Sequence, residues 1–499
     1  MSAAPKIRLF NSLTRRVEAF DPVHPGEARI YSCGPTVYNY PHIGNMRAYV
    51  FADTLGRTLS AAGYKLTHII NITDVGHLTS DADAGEDKLE KAASEQARSI
   101  WDIARHYTEA YWEDVRRLNI RQPAKWSVAT DHVAEMIAFA KAIEAKHCYR
   151  LPTGLYFDVT TVPDYGRLAR AASEEDAGDG QGRIAPVDGK RNAADFAIWR
   201  TSPPGETRQM EWDSPWGRGA PGWHLECSVM SHRYLGYPFD IHTGGIDHRE
   251  IHHPNEIAQN QAYGCTADSG ARFWMHNNFL VERAGKMSKS SGEFLTLQRL
   301  IDRGYHPLAY RMLCLTAHYR SELEFSWEAL GAALTRLKRL VMAVESSSPE
   351  RGGVEGSPPP AASRLPPPRS GEEWHPKIAP LLAGFDAAMA DDLNTPRALV
   401  LIEELAALKK VDAGQKRAAL AAMDAVLGLD LLALDRTALR VRPKEAAVDE
   451  GKIEAILAQR KAARADRDFA TSDALRDQLM AQGIEVMDGD PLGWDWRLG

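Results

Sequence analysis

The stretch from Tyr31 to Asn45, YSCGPTVYNYPHIGN, constrains the fold more than any other part of the chain. It begins as a short apolar strand, Ala28 to Ser32, and breaks at Gly34 and Pro35. A loop then carries His42, Ile43, Gly44 and Asn45 into a helix whose apolar positions are Val50, Phe51, Leu55 and Leu59. That spacing is helical, Gly63 is placed to stop the helix, and a second strand, Leu66 to Ile72, follows at once. Strand, glycine-bearing loop, helix and strand make the parallel βαβ unit of nucleotide-binding sheets. The first turn of such a helix leaves N–H groups free and presents a positive dipole end, so a phosphate fits there. His42, at that turn, could donate to a phosphate oxygen.

A chain of 499 residues is too long for one core, and two to four domains are expected. No apolar run approaches membrane-spanning length, and the start, MSAAPKIRLF, lacks the apolar core of a signal peptide. The five cysteines, Cys33, Cys148, Cys227, Cys265 and Cys314, are odd in number and scattered, which argues against a disulfide framework and for a reducing cytoplasm. A net charge of −7 does not advertise nucleic-acid binding, so any such role must rest on local basic faces.

The opening residues read as a strand-rich lead-in with Arg8, Phe10, Val17 and Phe20 among polar turns. A first nucleotide-fold half runs over 1–118 and includes a helical stretch, Asp87 to Arg117, with Trp101, Ile103, Tyr111 and Trp112 expected to face inward. An inserted segment spans 119–205. It holds a helix, His132 to His147, a hairpin from Tyr149 to Val159 turning at Gly154, and a Gly- and Asp-rich loop, Glu174 to Asn192. The second half, 206–294, carries PGWHLECSVM, DIHTGGIDH, a helix from Glu250 to Ala262 and a strand, Trp274 to Val281. Residues 295–345 read as a helical bundle, and 346–371, rich in Ser, Pro and Gly, as a flexible tether. Helices are then expected at Pro376–Met389, Pro396–Leu408, Gly414–Leu427, Glu450–Arg464 and Thr471–Ala481, dividing into units 372–435 and 436–499.

The HIGN element is followed much later by Lys286-Met287-Ser288-Lys289-Ser290. This ordered pair of HIGH-type and KMSKS elements resembles the class I aminoacyl-tRNA synthetases. CGPTVYNYPHIGN, GWHLECSVM, DIHTGG and HHPNEIAQ together look like the cysteinyl-tRNA synthetase family, with similarity from KIRLFNSLTRR to the terminal GIEVMDGD. The fold implied is α/β: a Rossmann-like parallel-sheet catalytic domain with an insertion, then an all-α helical bundle contacting the tRNA stem and a C-terminal anticodon-binding region. A ligase passing the same adenylate to an amino-sugar resembles only the catalytic half, so the helical tail favours tRNA as acceptor. The activity implied is joining of L-cysteine to tRNA(Cys) with ATP, Mg²⁺ accompanying the nucleotide. The resemblance also implies a monomer.

Within that resemblance Cys33, Cys227, His252 and Glu256 are zinc ligands. Spacing does not reveal the set, although His252 and Glu256, four apart, share a helix face. Two thiolates, an imidazole and a carboxylate suit Zn²⁺, which prefers thiolate and so would separate cysteine from serine where pocket shape yields only about 1–3 kcal/mol. Four protein ligands usually close a site, so Glu256 is expected to be weakly held, with room for a fifth ligand. His42, Asn45, Lys286 and Lys289 are the expected catalytic groups, with Gly44, Gly244, Gly245, Asp247, Met287 and Ser288 against ATP. Gly34, Thr36, Thr73 and Trp223 are expected around the amino acid, with Asp74 an alternative partner for its ammonium. Arg464, Phe469 and Asp473 are the candidates for unpaired RNA bases, through stacking and polar contacts. The fourth HIGH position is Asn45 instead of histidine, which keeps a hydrogen-bond donor and removes an imidazolium.

Overall fold

The computed structural model describes residues 6–75, 99–169, 187–203, 205, 208–282, 285–286, 295–347 and 373–498. Met287, Ser288 and Lys289, residues 87–98 of the expected second helix, 174–186 of the insertion loop and 348–371 of the tether lie outside them.

A hairpin of β1 (Arg8–Asn11) and β2 (Arg16–Ala19) leads in. The nucleotide-fold unit follows as β3 (Glu27–Ser32), α1 (Ile43–Ala61) and β4 (Lys65–Ile72). Next come α2 (Ile100–Arg117), β5 (Lys125–Val128) and α3 (Val133–His147). An antiparallel sheet of β6 (Cys148–Leu151), β7 (Gly154–Phe157), β8 (Phe196–Thr201) and β9 (Gly219–Pro221) comes before α4 (Trp223–Leu235), β10 (Phe239–Gly245), α5 (His252–Gly264) and β11 (Ala271–Asn277).

The central sheet has the order β11-β10-β3-β4-β5, every pair parallel. The strand order therefore reverses at β3, and the crevice beyond the carboxyl ends of β3 and β10 is where open α/β sheets take ligands. Both faces are covered. Ile30, Phe273 and Met275 enter one core with α1 and α2, while their neighbours Tyr31 and Trp274 enter the other with α3, α4 and α5. This is the period-2 alternation of strands covered on both sides.

Three sequence expectations change. Gly154 is the first residue of β7 instead of the hairpin turn, which falls at Pro152-Thr153. A Cβ there would sit 1.9 Å from the Trp199 carbonyl oxygen, so the strand pairing itself demands glycine. Trp101 is 44% exposed because the buried stripe of α2 runs through Ile100, Ile103, Tyr107 and Tyr111, one residue out of phase with it. The expected strand from Trp274 to Val281 is two strands. β12 (Leu280–Glu282) leaves the central sheet to pair with β13 (Gly285–Lys286) and β14 (Leu323–Glu324). The buried guanidinium of Arg47 holds the break, donating to the carbonyls of Asn278 (2.9 Å), Phe279 and Ser321 (2.6 Å).

The remainder is mostly helical: α6 (Leu297–Asp302), α7 (Pro307–Leu315), α8 (Trp327–Glu345), α9 (Ala379–Ala390), α10 (Thr395–Ala407) and α11 (Ala413–Leu427). These share the α1–α2 core. A terminal unit of α12 (Glu450–Ala465), α13 (Phe469–Ala481), β15 (Ile484–Val486) and β16 (Trp494–Trp496) has its own small core of Ile453, Leu479, Ile484, Trp494 and Trp496. Among the described residues no helix is long and apolar enough to cross a membrane.

One buried cation ties sheet to helices. Arg311 of α7 donates to the carbonyls of Leu427 (2.8 Å) and Leu118 (3.0 Å) and to Asp53 Oδ2 of α1 (2.6 Å). Burial would raise the Asp53 pKa, but the charges of Arg311 and Arg57 outweigh it and hold the carboxyl at about 2. Replacing Arg311 by leucine leaves Asp53 with Arg57 at 2.7 Å but takes the donor from the buried Leu118 and Leu427 carbonyls, and a loss of about 3–5 kcal/mol in denaturant unfolding is expected. Because the folded pKa is depressed, the Asp53 contribution is complete above the ordinary value of 3.8 and fades as pH falls toward about 2. An acid titration of stability should accordingly fall less steeply over that window in Asp53→Asn than in the unaltered protein.

Candidate active site and metal centre

The first turn of α1 is closed by its own side chains. His42 is the N-cap: its Nδ1 accepts from the Asn45 backbone N–H at 3.1 Å, and Asn45 Oδ1 accepts from the His42 N–H at 3.3 Å. This reciprocal pair is a capping box built from histidine and asparagine. The capping bond makes Nδ1 an acceptor, so Nε2 carries the ring proton of a neutral His42. The fourth HIGH position thus serves the backbone of the helix that presents His42.

A cavity of about 340 Å³ opens at the carboxyl ends of β3 and β10. Cys33, Gly34, Thr36, His42, Gly44, Asn45, Trp223, Gly245 and Asp247 line it, so residues drawn from distant stretches converge there. Tyr49, Tyr107, Tyr111 and Asn277 join them. Three candidates do not face it. Thr73 is 2% exposed, and its hydroxyl donates to Glu226 Oε2 at 3.0 Å. The Asp74 carboxylate accepts from the backbone N–H and the hydroxyl of Thr130, at 2.9 and 2.5 Å. Gly244 lies beneath two rings, with the Cβ position 2.7 Å from both His248 Nδ1 and His253 Cε1. All three sit at strand ends that the sequence places by the crevice, but their side chains, or for Gly244 its Cβ direction, turn into the packing between sheet and helices. Lys286 lies in β13, paired with Val281.

Behind Cys33 the polar side chains are dense. One ligand atom from each of Cys33, Cys227, His252 and Glu256 lies within 4.8 Å of all the others. Cys33 follows β3 directly at the cavity wall, Cys227 is on α4, and His252 and Glu256 share a face of α5, with His252 Nε2 3.0 Å from Glu256 Oε1. One ligand atom from each of a second group, Cys33, His242, His253 and Glu256, likewise lies within 4.8 Å of the others. His242 Nε2 lies 2.9 Å from Glu256 Oε2, and His224 Nδ1 2.9 Å from His252 Nδ1. A line of contacts runs from Ser12 Oγ to His276 (2.8 Å), on to His253 (2.8 Å) and then to Cys33 Sγ (3.4 Å).

The electrostatics follow from burial and neighbours. Burial would raise Glu256, yet the charges of His242 and His252 pull its carboxyl down to about 2. Burial would lower His252, and the Glu256 carboxylate lifts it instead to about 10. Of the two thiols, Cys227 is lowered to about 7, first by a hydrogen bond from Cys33, while burial pushes Cys33 up. His253 and His276 are held neutral by burial and the other imidazoles. This donor set fits a zinc ion. Glu256 Oε1 is buried without a hydrogen bond, two thiols and an imidazole surround it, and the second nitrogen of His252 is oriented by His224. The supporting histidines were not singled out from sequence, although seven of the 17 histidines fall within 224–276.

At the other end of the chain, Phe469 opens α13 and is 62% exposed. Asp473 stands one turn on, 3.4 Å from Arg476. Arg464 and Arg460 both donate to Asp488 at 2.7 Å, and those bonds hold its carboxyl at about 2. Sequence reasoning did not single out Asp488 as the partner of Arg464.

Residues 19–335 match the family of tRNA synthetases class I (C) catalytic domains, and residues 450–497 match the cysteinyl-tRNA ligase anticodon binding domain. The cysteine–tRNA ligase of Novosphingobium aromaticivorans is 71% identical over 498 residues, covering 99% of this chain and 97% of that protein. That of Zymomonas mobilis is 54% identical, covering 98% of each. A solved structure of Mycobacterium tuberculosis methionyl-tRNA synthetase bound by methionyl-adenylate is 15% identical with a TM-score of 0.52, over 81% of this chain and 90% of that one, a likeness of fold alone. The catalytic-domain match, the anticodon-domain match and full-length identity to two ligases agree: the chain belongs to the cysteine–tRNA ligases of the class I aminoacyl-tRNA synthetases.

Proposed function

We propose that this ligase activates L-cysteine and charges tRNA(Cys) in two steps at the cavity beyond β3 and β10. In the first, an oxygen of the cysteine carboxylate attacks the α-phosphorus of ATP. A carbon–oxygen–phosphorus link forms, the α–β phosphoanhydride breaks, and pyrophosphate leaves. In the second, a hydroxyl of the terminal ribose of tRNA attacks the carbonyl carbon. The ester forms, AMP leaves with the bonding electrons, and the hydroxyl proton passes to solvent.

The observation that carries this reading is the position of Cys33, which belongs to both the cavity wall and the buried donor cluster. The chain's own task is to position groups and meet developing charge. His42 Nε2–H donates to a phosphate oxygen, and the start of α1 adds its dipole. Lys286 and Lys289 balance the departing pyrophosphate, with Met287 and Ser288 of the same segment against the nucleotide. Gly245 and Asp247 take the ribose side, while Gly34, Thr36 and Trp223 enclose the amino acid. Cys33, Cys227, His252 and Glu256 would hold a zinc ion, whose chemistry is that of a borderline-soft Lewis acid preferring thiolate to hydroxyl. Of the two donor groups this one is favoured because it brings two sulfurs and because His242 and His253 already act as partners of Glu256 and His276. The terminal unit reads the anticodon through Arg464, Phe469 and Asp473.

Purified protein should carry one zinc per chain by elemental analysis. Its removal with a chelator should abolish cysteine-dependent ATP–pyrophosphate exchange. Metal-free protein, or serine exchange equal to cysteine exchange, would overturn the sulfur-sorting role. His42→Ala should lower the exchange rate by about 10²–10³, the usual loss for one donor to developing charge. Asn45→Ala should also cost about 1 kcal/mol of stability by taking the acceptor from the His42 N–H, the reciprocal bond of the capping box. Replacing Arg464, Phe469 and Asp473 together by alanine should lower tRNA charging far more than pyrophosphate exchange. The loss of stacking on one base alone is worth about 1–3 kcal/mol.

A further inference from the structure

The two cysteines of the donor cluster are 194 positions apart in sequence and sit at different elements, directly after β3 and in the first half of α4. Their neighbours are connected through the protein interior by one line of directed hydrogen bonds. The Gly34 N–H, next to Cys33, donates to Asn71 Oδ1 at 2.7 Å. Asn71 Nδ2 donates to Thr73 Oγ1 at 2.9 Å. The Thr73 hydroxyl donates to Glu226 Oε2 at 3.0 Å, and Glu226 precedes Cys227. Asn71 and Thr73 are each 2% exposed and Glu226 is 0% exposed.

Every link has a defined direction. A backbone N–H can only donate, so Asn71 presents its carbonyl to Gly34 and its amide to Thr73. Having accepted from Asn71, the threonine hydroxyl has its proton available for the carboxyl of Glu226. Backbone contacts fix the middle of the line: Thr73 N–H donates to Pro35 O at 3.0 Å, and Val37 N–H to Thr73 O at 3.2 Å. Packing holds the same neighbours together, since a Cβ on Gly34 would fall 1.6 Å from the Asn71 main-chain oxygen. The loop bearing Cys33 is thereby pressed against the tip of β4, and the tip of β4 against the helix bearing Cys227.

We propose that Asn71, Thr73 and Glu226 are positioning residues that set the separation of the Cys33 and Cys227 sulfurs, and through it the preference for cysteine over serine. The inference rests on the zinc-binding reading above. Neither Asn71 nor Thr73 touches a sulfur; they act through the backbone on either side. In a buried line of hydrogen bonds each link holds the next in place, so the loss of one link frees both ends. Partners that orient metal ligands typically contribute about 10–100-fold in affinity.

The test measures zinc dissociation from the full chain with a chromogenic chelator, beside pyrophosphate exchange with cysteine and with serine. Thr73→Val keeps the shape and removes the hydroxyl, Asn71→Ala breaks the line at another link, and Thr73→Ser keeps the hydroxyl. The expected result is zinc bound at least tenfold more weakly in Thr73→Val and Asn71→Ala, with a lower cysteine-to-serine ratio and near-normal behaviour in Thr73→Ser. A general loss of folding would move the unfolding midpoint in all three; the rescue by serine separates positioning from bulk. If Thr73→Val and Asn71→Ala hold zinc and discriminate as the unaltered protein does, or if Thr73→Ser is as impaired as Thr73→Val, the proposal fails. If the unaltered protein binds no zinc, the metal reading itself fails, a different outcome read from a different sample.

Discussion

β3 pairs with β4 along one side and with β10 along the other, all in parallel. The chain must therefore leave β3 over the top of the sheet in one direction and come back to β10 from the other. The gap between those departures cannot be filled by a crossover, because each crossover runs away from it. Cys33, Gly34 and the HIGN turn lie on one lip of the gap, with Gly245 and Asp247 on the other. The candidate site is in this sense a by-product of strand order. Right-handed crossovers leave few other places for a ligand on such a sheet.

Beneath the gap, opposite charges and neutral imidazoles are packed where water does not reach. Glu256 meets His242 at one oxygen and His252 at the other, and these two imidazole partners account for a carboxyl held low in spite of burial. A cluster of this sort is costly without a compensating cation. The density of nitrogen and sulfur donors around one carboxylate is the chemistry that suits a metal ion, and the outer histidine His224 fixes the orientation of the His252 ring.

Local elements were legible because their determinants are local. The strand–loop–helix unit, Gly63 as a stop at φ +95°, and the helices from α9 to α13 follow from spacing and caps within a few residues. The donor cluster came from resemblance alone, since nothing in the spacing of Cys33, Cys227 and His252 announces a shared neighbourhood. The sequence could not show that Thr73 turns inward, because its partner Glu226 is 153 residues away. The same holds for the break after β11, which depends on Arg47 reaching across 231 residues. Trp101 misled because aromatic character is a weaker guide than phase along a helix; one position off the stripe, even tryptophan faces water.

The guanidinium of Arg311 has a bearing on how this protein can be divided. Its acceptors come from α1, from the loop after α2 and from the end of α11, and Gly428 lies so close that a Cβ would stand 2.4 Å from Nη2. The parallel-sheet body and the helices that follow it are thus completed by the same charge. A fragment cut before residue 428 would keep the cation and lose a wall of its enclosure. Modularity visible in the order of segments is not separability: the later helices finish the interior of the earlier sheet, and the two must be inherited together.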